Sequence, residues 1–246
     1  MKYNICVPIP VKSADILEVK SLIEKSLRSR PNLLEFRYDY IDDIQHITQD
    51  FIIELSNFVR PKIPVIFTFR DHNEGGKMKL TEKERFEILK TLVLSQPNYL
   101  DIEMNSGKAI LSELINLANQ NGVKLIFSYH NFDRTPAYEM VLDQIYNFLE
   151  RLEREFGFNS QKIKEIILKF IFKANSFKDN LISLEICREV SKKSIRIISF
   201  CMGMLGIFSR ISCVLNGSFL TYGSIVEETA PGQINIRDIR ESLNFF

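Results

Sequence analysis

The sequence is poor in the features that usually announce a function. Its 246 residues carry 32 Lys and Arg against 31 Asp and Glu, a formal net charge of +1. So small an excess makes no global field that would gather nucleic acid or an anionic membrane, and any anionic ligand must be met by a local cluster of cations. The four cysteines (Cys6, Cys187, Cys201 and Cys213) are scattered through apolar stretches without CxxC or CxxH spacing, which reads as reduced core residues. The histidines, His46, His72 and His130, are too dispersed for a structural zinc site. No apolar run approaches membrane-spanning length and no cleavable leader is evident, so a soluble cytoplasmic protein is expected. There is no linker, no low-complexity tract, and no dinucleotide glycine fingerprint at the first strand–helix turn.

What remains is a chain that is 45% hydrophobic, enough for one large domain with a full core. Short apolar runs alternate with amphipathic stretches along its length. The runs are Lys2–Ile9 (ended by Pro8 and Pro10), Asn32–Tyr40, Ile63–Arg70, Tyr99–Met104, Val123–Tyr129, Ile166–Phe172, Ser194–Phe200 and Ser218–Tyr222. Between them, Ser13 or Asp15 is placed to cap a helix to about Ser29, and Asp42 or Asp43 to cap a helix carrying Ile44, Ile47, Phe51 and Leu55. Thr81 with Glu84 forms a capping-box pair, and Lys108–Asn121 stops at Gly122. A long helix after Pro136 turns Met140, Ile145, Phe148 and Leu152 inward. Strand and helix alternate eight times at roughly thirty residues per unit, the rhythm of a single (β/α)8 (TIM) barrel domain over residues 1–246.

In such a barrel the C-terminal strand ends and the loops after them build the site. Glu35 and Arg37 stand at i, i+2 on the second strand and share a face, as do Asp101 and Glu103 on the fourth. Arg70 ends a nearly all-apolar third strand, and Glu74 follows it just before Gly75-Gly76. The fifth strand ends at His130, the seventh leads to Met202 and Arg210, and the last loop supplies Thr229 and Gln233. Three arginines so gathered suit a small carboxylate or phosphate, which a guanidinium meets with a planar fork. The sixth run, IILKFIFK, sets Lys169 among apolar neighbours. Its spacing also fits a helix, but its aromatic and β-branched content favours a strand. Apolar surroundings disfavour an ammonium ion, so a lysine there can work as a neutral amine and attack a carbonyl carbon. Lys173 falls on the same strand face.

Seven stretches now form a set: EFR at Glu35–Arg37, FTFR with EGG at Phe67–Gly76, DIE at Asp101–Glu103, SYHNF with TP at Ser128–Pro136, MG with SR at Met202–Arg210, GS with TY at Gly217–Tyr222, and APGQ at Ala230–Gln233. Together, and in this order through almost the whole chain, they resemble type I 3-dehydroquinate dehydratase. The resemblance implies a shikimate-pathway (β/α)8 lyase, homodimeric, working without metal or cofactor on the small molecule 3-dehydroquinate. It matches Lys169 to the Schiff-base lysine, His130 to the general acid/base, and Glu74 to the acid that orients the histidine. Glu35, Arg37, Arg70, Arg210 and Gln233 match substrate-binding positions, with Arg210 as the carboxylate fork. Met202 and Tyr222 match apolar contacts, and Thr229 stands where a serine is usual. Two other readings fit the same residues less fully: a Schiff-base barrel enzyme of the class I aldolase type, and a non-catalytic carboxylate-binding barrel.

Overall fold

The computed structural model describes residues 3–225 and 232–245. The apolar runs become the strands β1 (Ile5–Pro10), β2 (Leu33–Arg37), β3 (Val65–Thr68), β4 (Tyr99–Glu103), β5 (Lys124–Asn131), β6 (Ile167–Lys173), β7 (Arg196–Met202) and β8 (Thr221–Tyr222). They form one parallel sheet in the order β7-β6-β5-β4-β3-β2-β1-β8. The seam between β7 and β8 is thin: Ile197 bridges to Ser218, and the Phe219 N–H donates to the Ile197 carbonyl at 2.6 Å. The sheet therefore curls into a nearly closed (β/α)8 barrel.

Helices cover its outside: α1 (Ile16–Leu27), α2 (Gln49–Val59), α3 (Glu82–Leu94), α4 (Lys108–Asn121), α5 (Tyr138–Phe156), α6 (Ser160–Glu165), α7 (Phe177–Lys192), α8 (Ile207–Ser212) and α9 (Ile236–Leu243). Their ends follow local chemistry. Asp15 caps α1, the Thr81–Glu84 capping box opens α3, and Gly122 in the left-handed conformation (φ 68°) closes α4. Among the described residues, no helix is long and apolar enough to cross a membrane.

Several local expectations are corrected. Pro8 lies within β1 rather than ending it, and the strand closes at Pro10. Here β1 is 6 residues long and pairs with β8 over only two of them, so the missing proline N–H groups cost few ladder bonds. Asp43 caps only a 3-10 turn over Ile44–His46, and α2 starts later under Thr48, whose side chain accepts from the Phe51 N–H. Met140 is 59% exposed; its neighbour Val141 is the buried residue on that turn. The short helix α6, capped by Asn159, precedes β6 and was not expected. The second strand breaks at Arg37 into a 3-10 turn, Tyr38–Tyr40.

Strand alternation sorts side chains into two layers. Along β6, Leu168, Phe170 and Phe172 point outward under the helices and are fully buried. Tyr129 of β5 packs on both phenylalanines at 6.1 and 6.4 Å between ring centroids. Lys169 and Ile171 point the other way, into the barrel. This division makes Phe170 a structural residue alone. Phe170→Ala is expected to lower the unfolding free energy by about 3–5 kcal/mol, measured by denaturant unfolding, while the turnover per folded molecule stays near that of the unaltered chain. A variant as stable as the unaltered chain would place Phe170 on the wrong layer.

Candidate active site

Parallel register decides which inward side chains meet. Lys169 lies opposite Ser128 on β5 and Ile198 on β7; Glu103 of β4 lies opposite the same Ser128. Thr68 of β3 pairs with Arg37 on one side and Asp101 on the other. Lys169, Ser128, Asp101, Thr68 and Glu35 thus converge inside the barrel. A cavity of about 250 Å³ opens above them, lined by Glu35, Arg37, Arg70, Glu74, His130, Lys169, Met202, Arg210, Tyr222 and Gln233, with Gly75, Lys77, Phe132, Ile171 and Phe200 completing the wall. Every expected site residue within the described chain is on that wall. Thr229 lies outside the described residues. Lys173, by contrast, is exposed at the strand end and lines no part of the cavity.

The lysine is not held as expected. Its strand neighbours are apolar, but they point outward, and the Lys169 amine itself meets oxygen atoms. Nζ donates to Asp101 Oδ2 at 2.9 Å and to the Tyr222 hydroxyl at 3.2 Å, and lies 3.6 Å from Glu35 Oε1. Tyr222 is therefore a polar partner as well as the apolar contact expected of it. Glu35 is fixed by the Thr68 hydroxyl at 2.7 Å. Asp101 takes the Ser128 hydroxyl at 2.6 Å and Arg70 Nη2 at 2.8 Å. Burial alone would raise the Asp101 carboxyl, but Arg70 and then Lys169 outweigh it and hold the carboxyl well below the usual carboxylate range. Asp101 shares a strand face with Glu103 in the sequence, but its role emerges only from these contacts. The available signal was a pair of acids on a strand whose faces are both covered.

His130 and Glu74 form a second unit. Glu74 Oε2 accepts from the His130 backbone N–H at 2.9 Å and lies 3.0 Å from Nδ1. Burial pushes the Glu74 carboxyl up to about 7, against the opposing pull of Arg70. Burial likewise pushes the His130 imidazole well below its ordinary value, helped by Arg70 and Lys169. The ring is then neutral at neutral pH. An ionised Glu74 selects the tautomer with the proton on Nδ1, which leaves Nε2 as a free base.

The loop that carries Glu74 is wound tightly. Asp71 accepts from the Asn73 N–H at 2.7 Å, and its carbonyl accepts from Glu74 and Gly76 at 3.0 and 2.8 Å. Gly75 takes φ 86°, and at Gly76 a Cβ would run into the Arg70 carbonyl. Both positions thus need glycine.

The arginines are built in differently. Arg37 grips Asp39 through Nε and Nη2 at 2.7 and 2.8 Å, and Asp39 also takes the Lys77 N–H at 3.3 Å. Arg70 spans Asp101 and Glu103. Arg210 is 1% exposed with its guanidinium 4.5 Å from the centre of the Phe200 ring. Its helix α8 is pinned by the fully buried Asn180, whose Oδ1 accepts from the Ser209 N–H at 3.0 Å while Nδ2 donates to the Leu205 carbonyl at 2.7 Å.

This geometry can be set beside known proteins. A family model described as type I 3-dehydroquinase matches residues 5–246. The 3-dehydroquinate dehydratase of Thermococcus onnurineus is 32% identical over 221 residues, 90% of each chain. The solved 3-dehydroquinate dehydratase of Geobacillus kaustophilus superposes with a TM-score of 0.84 at 29% identity, covering 100% of this chain and 91% of that one. The type I enzyme from Clostridium difficile, solved with covalently modified comenic acid, superposes with a TM-score of 0.82 at 26% identity, covering 99% of this chain and 92% of that one. With the match extending over nearly every residue, the chain belongs to the type I 3-dehydroquinase family.

Proposed function

We propose that the protein dehydrates 3-dehydroquinate to 3-dehydroshikimate through a Schiff base on Lys169, with His130 as general acid and base. The observation that carries this reading is the convergence of a buried primary amine and a neutral imidazole on one cavity from the adjacent strands β5 and β6. The Lys169 amine, its proton lost, adds to the C3 ketone and water leaves, giving an iminium. The iminium is a better electron sink than the ketone, so it acidifies the C2 proton. His130 Nε2 takes that proton, and the electron pair flows to the nitrogen as an enamine. The enamine then expels the C1 hydroxyl, which leaves as water with the proton returned by His130. Hydrolysis of the product iminium frees Lys169, so the net change is loss of one water.

The remaining groups bind and orient. Arg210, set rigidly over Phe200, suits the substrate carboxylate. Glu35, Arg37 and Gln233 face the substrate hydroxyls, Met202 forms an apolar wall, and Thr229 carries its binding role by resemblance alone. Arg70 acts on substrate chiefly by placing Asp101. The aldolase-type reading is disfavoured by a cavity whose described walls carry the carboxyl groups of Glu35 and Glu74 among the guanidiniums, a setting less suited to a phosphorylated sugar. A cytoplasmic homodimer completes the reading. Phe177, Leu181, Met204, Leu205 and Phe208 are 42–77% exposed around a Phe177–Phe208 ring contact of 5.2 Å, an apolar group of the kind a second copy covers.

Borohydride added with 3-dehydroquinate is expected to leave a reduced adduct on Lys169, located by peptide mass mapping. Lys169→Ala should fold normally and lose turnover; an adduct on Lys173, or none, overturns the covalent mechanism. A pH profile tests the other unit. Below about 7 a protonated Glu74 donates to Nδ1 and leaves the proton on Nε2, the wrong tautomer. The kcat/KM value should therefore climb with pH through about 7 and then level, and Glu74→Gln should lower it by about 100-fold and erase that limb. A limb that survives in the glutamine variant belongs to another group.

A further inference from the structure

Arg85 belongs to none of the motifs above. It stands on α3, a wall helix, yet it is only 8% exposed. Its guanidinium reaches over the end of β3, where Nη2 donates to the Phe69 carbonyl at 3.3 Å and to Glu103 Oε2. The other Glu103 oxygen takes Arg70 Nη1 at 2.7 Å and the Asp71 N–H at 3.0 Å. Arg70 Nη2 lies 2.8 Å from Asp101 Oδ2, and that oxygen takes Lys169 Nζ at 2.9 Å. A chain of alternating charges thus runs from the outer helix to the amine: Arg85, Glu103, Arg70, Asp101, Lys169. Each is more than nine-tenths buried.

In so dry a setting, each ion is placed by its charged neighbours. Arg70 is divided between two carboxylates, and the division depends on how much of Glu103 is already neutralised. Without the Arg85 charge, Glu103 draws Arg70 toward itself and away from Asp101. Asp101 is then left to Lys169 as its single cation. A carboxylate so placed stabilises the ammonium form, which cannot attack a ketone.

We propose that Arg85 is a positioning residue for the nucleophile. By neutralising Glu103 it frees Arg70 to share the charge of Asp101, and so governs how firmly Asp101 holds the proton of Lys169. This inference rests on the reading of Lys169 as the Schiff-base residue. The other groups facing that amine are Glu35 on β2, His130 on β5, Tyr222 on β8 and Cys6 on β1, and none of them touches Arg85. Arg85 also borders a separate polar cavity of about 480 Å³ behind Glu74 and His130, so shortening its side chain opens no hole in packed apolar core.

The test uses Arg85→Met, Arg85→Lys and the double variant Arg85→Met/Glu103→Gln. The readouts are the rate of borohydride trapping with 3-dehydroquinate as a function of pH, kcat/KM, and thermal stability. Trapping reads the amine before any proton reaches His130. Arg85→Met should slow trapping by about tenfold near neutral pH, shift its rise to higher pH, and regain the unaltered rate at the alkaline end. Arg85→Lys should restore the profile. The double variant, which removes the stranded anion along with its partner, should recover most of the rate. An unshifted pH dependence in Arg85→Met overturns the proposal, as does a loss equal at every pH that tracks stability. A double variant slower than Arg85→Met overturns it too. Should Arg85→Met fail to fold, the lysine and double variants still decide the matter: both must trap at close to the unaltered rate, and a tenfold loss in either overturns the proposal. Absence of any adduct in the unaltered protein is instead a failure of the Schiff-base reading, so the two outcomes are separable.

Discussion

The contact on which the rest depends is the one between Lys169 and Asp101. A bare ammonium inside a protein is costly, and so is a bare carboxylate; each persists here because the other is 2.9 Å away. The arrangement extends further, because Asp101 also meets Arg70, and Arg70 meets Glu103. A run of buried ions of alternating sign makes no strong claim on stability, since well-packed apolar side chains could fill the same space as well or better. Its consequence is positional. Each ion is confined by its neighbours, so the amine is kept on the floor of the cavity with little freedom to swing away.

The barrel makes this possible by what it does to the strands. Helices cover the outward face, so Leu168, Phe170 and Phe172 are buried there, and the inward face is released from the task of filling the core at its upper end. Polar groups can then be grouped in one layer by register alone. Ser128 shows how tightly that layer is connected: its hydroxyl donates to Asp101 at 2.6 Å while accepting from Arg70 Nη1 at the same distance. Glu74 and His130 sit one step higher, on a loop and a strand end, where burial separates their proton affinities from the usual order. The carboxyl is raised to about 7 and the imidazole is pushed down. Their ordinary order of proton affinity is thereby inverted, so that an ionised Glu74 holds an imidazole that stays neutral and is free to take up and return one proton.

Much of this was legible in the chain. The eight-fold alternation of apolar runs and amphipathic stretches points to a parallel sheet covered by helices, and eight units of about thirty residues without a dinucleotide glycine fingerprint favour the barrel over a doubly wound sheet. Helix ends with strong local chemistry, such as the Thr81–Glu84 capping box and Gly122, were readable because their hydrogen bonds close within a few residues. Less legible were positions decided by competition. Asp43 and Thr48 both could cap a helix, and only packing selects the later one. Met140 and Val141 both suit an apolar face, and the helix rotation that buries Val141 is set by the strands beneath it.

By itself, then, the sequence determined the architecture, the strand on which the lysine lies, and the set of residues at the strand ends, since all of these follow from periodicity and short-range spacing. The tertiary structure alone decided the company the lysine keeps. Its sequence neighbours are apolar and promise a dry amine, yet strand alternation turns them outward, and residues 68 and 53 positions away supply the oxygens it meets. Contacts across a closed sheet depend on register summed around the whole barrel, and no local stretch of chain carries that sum.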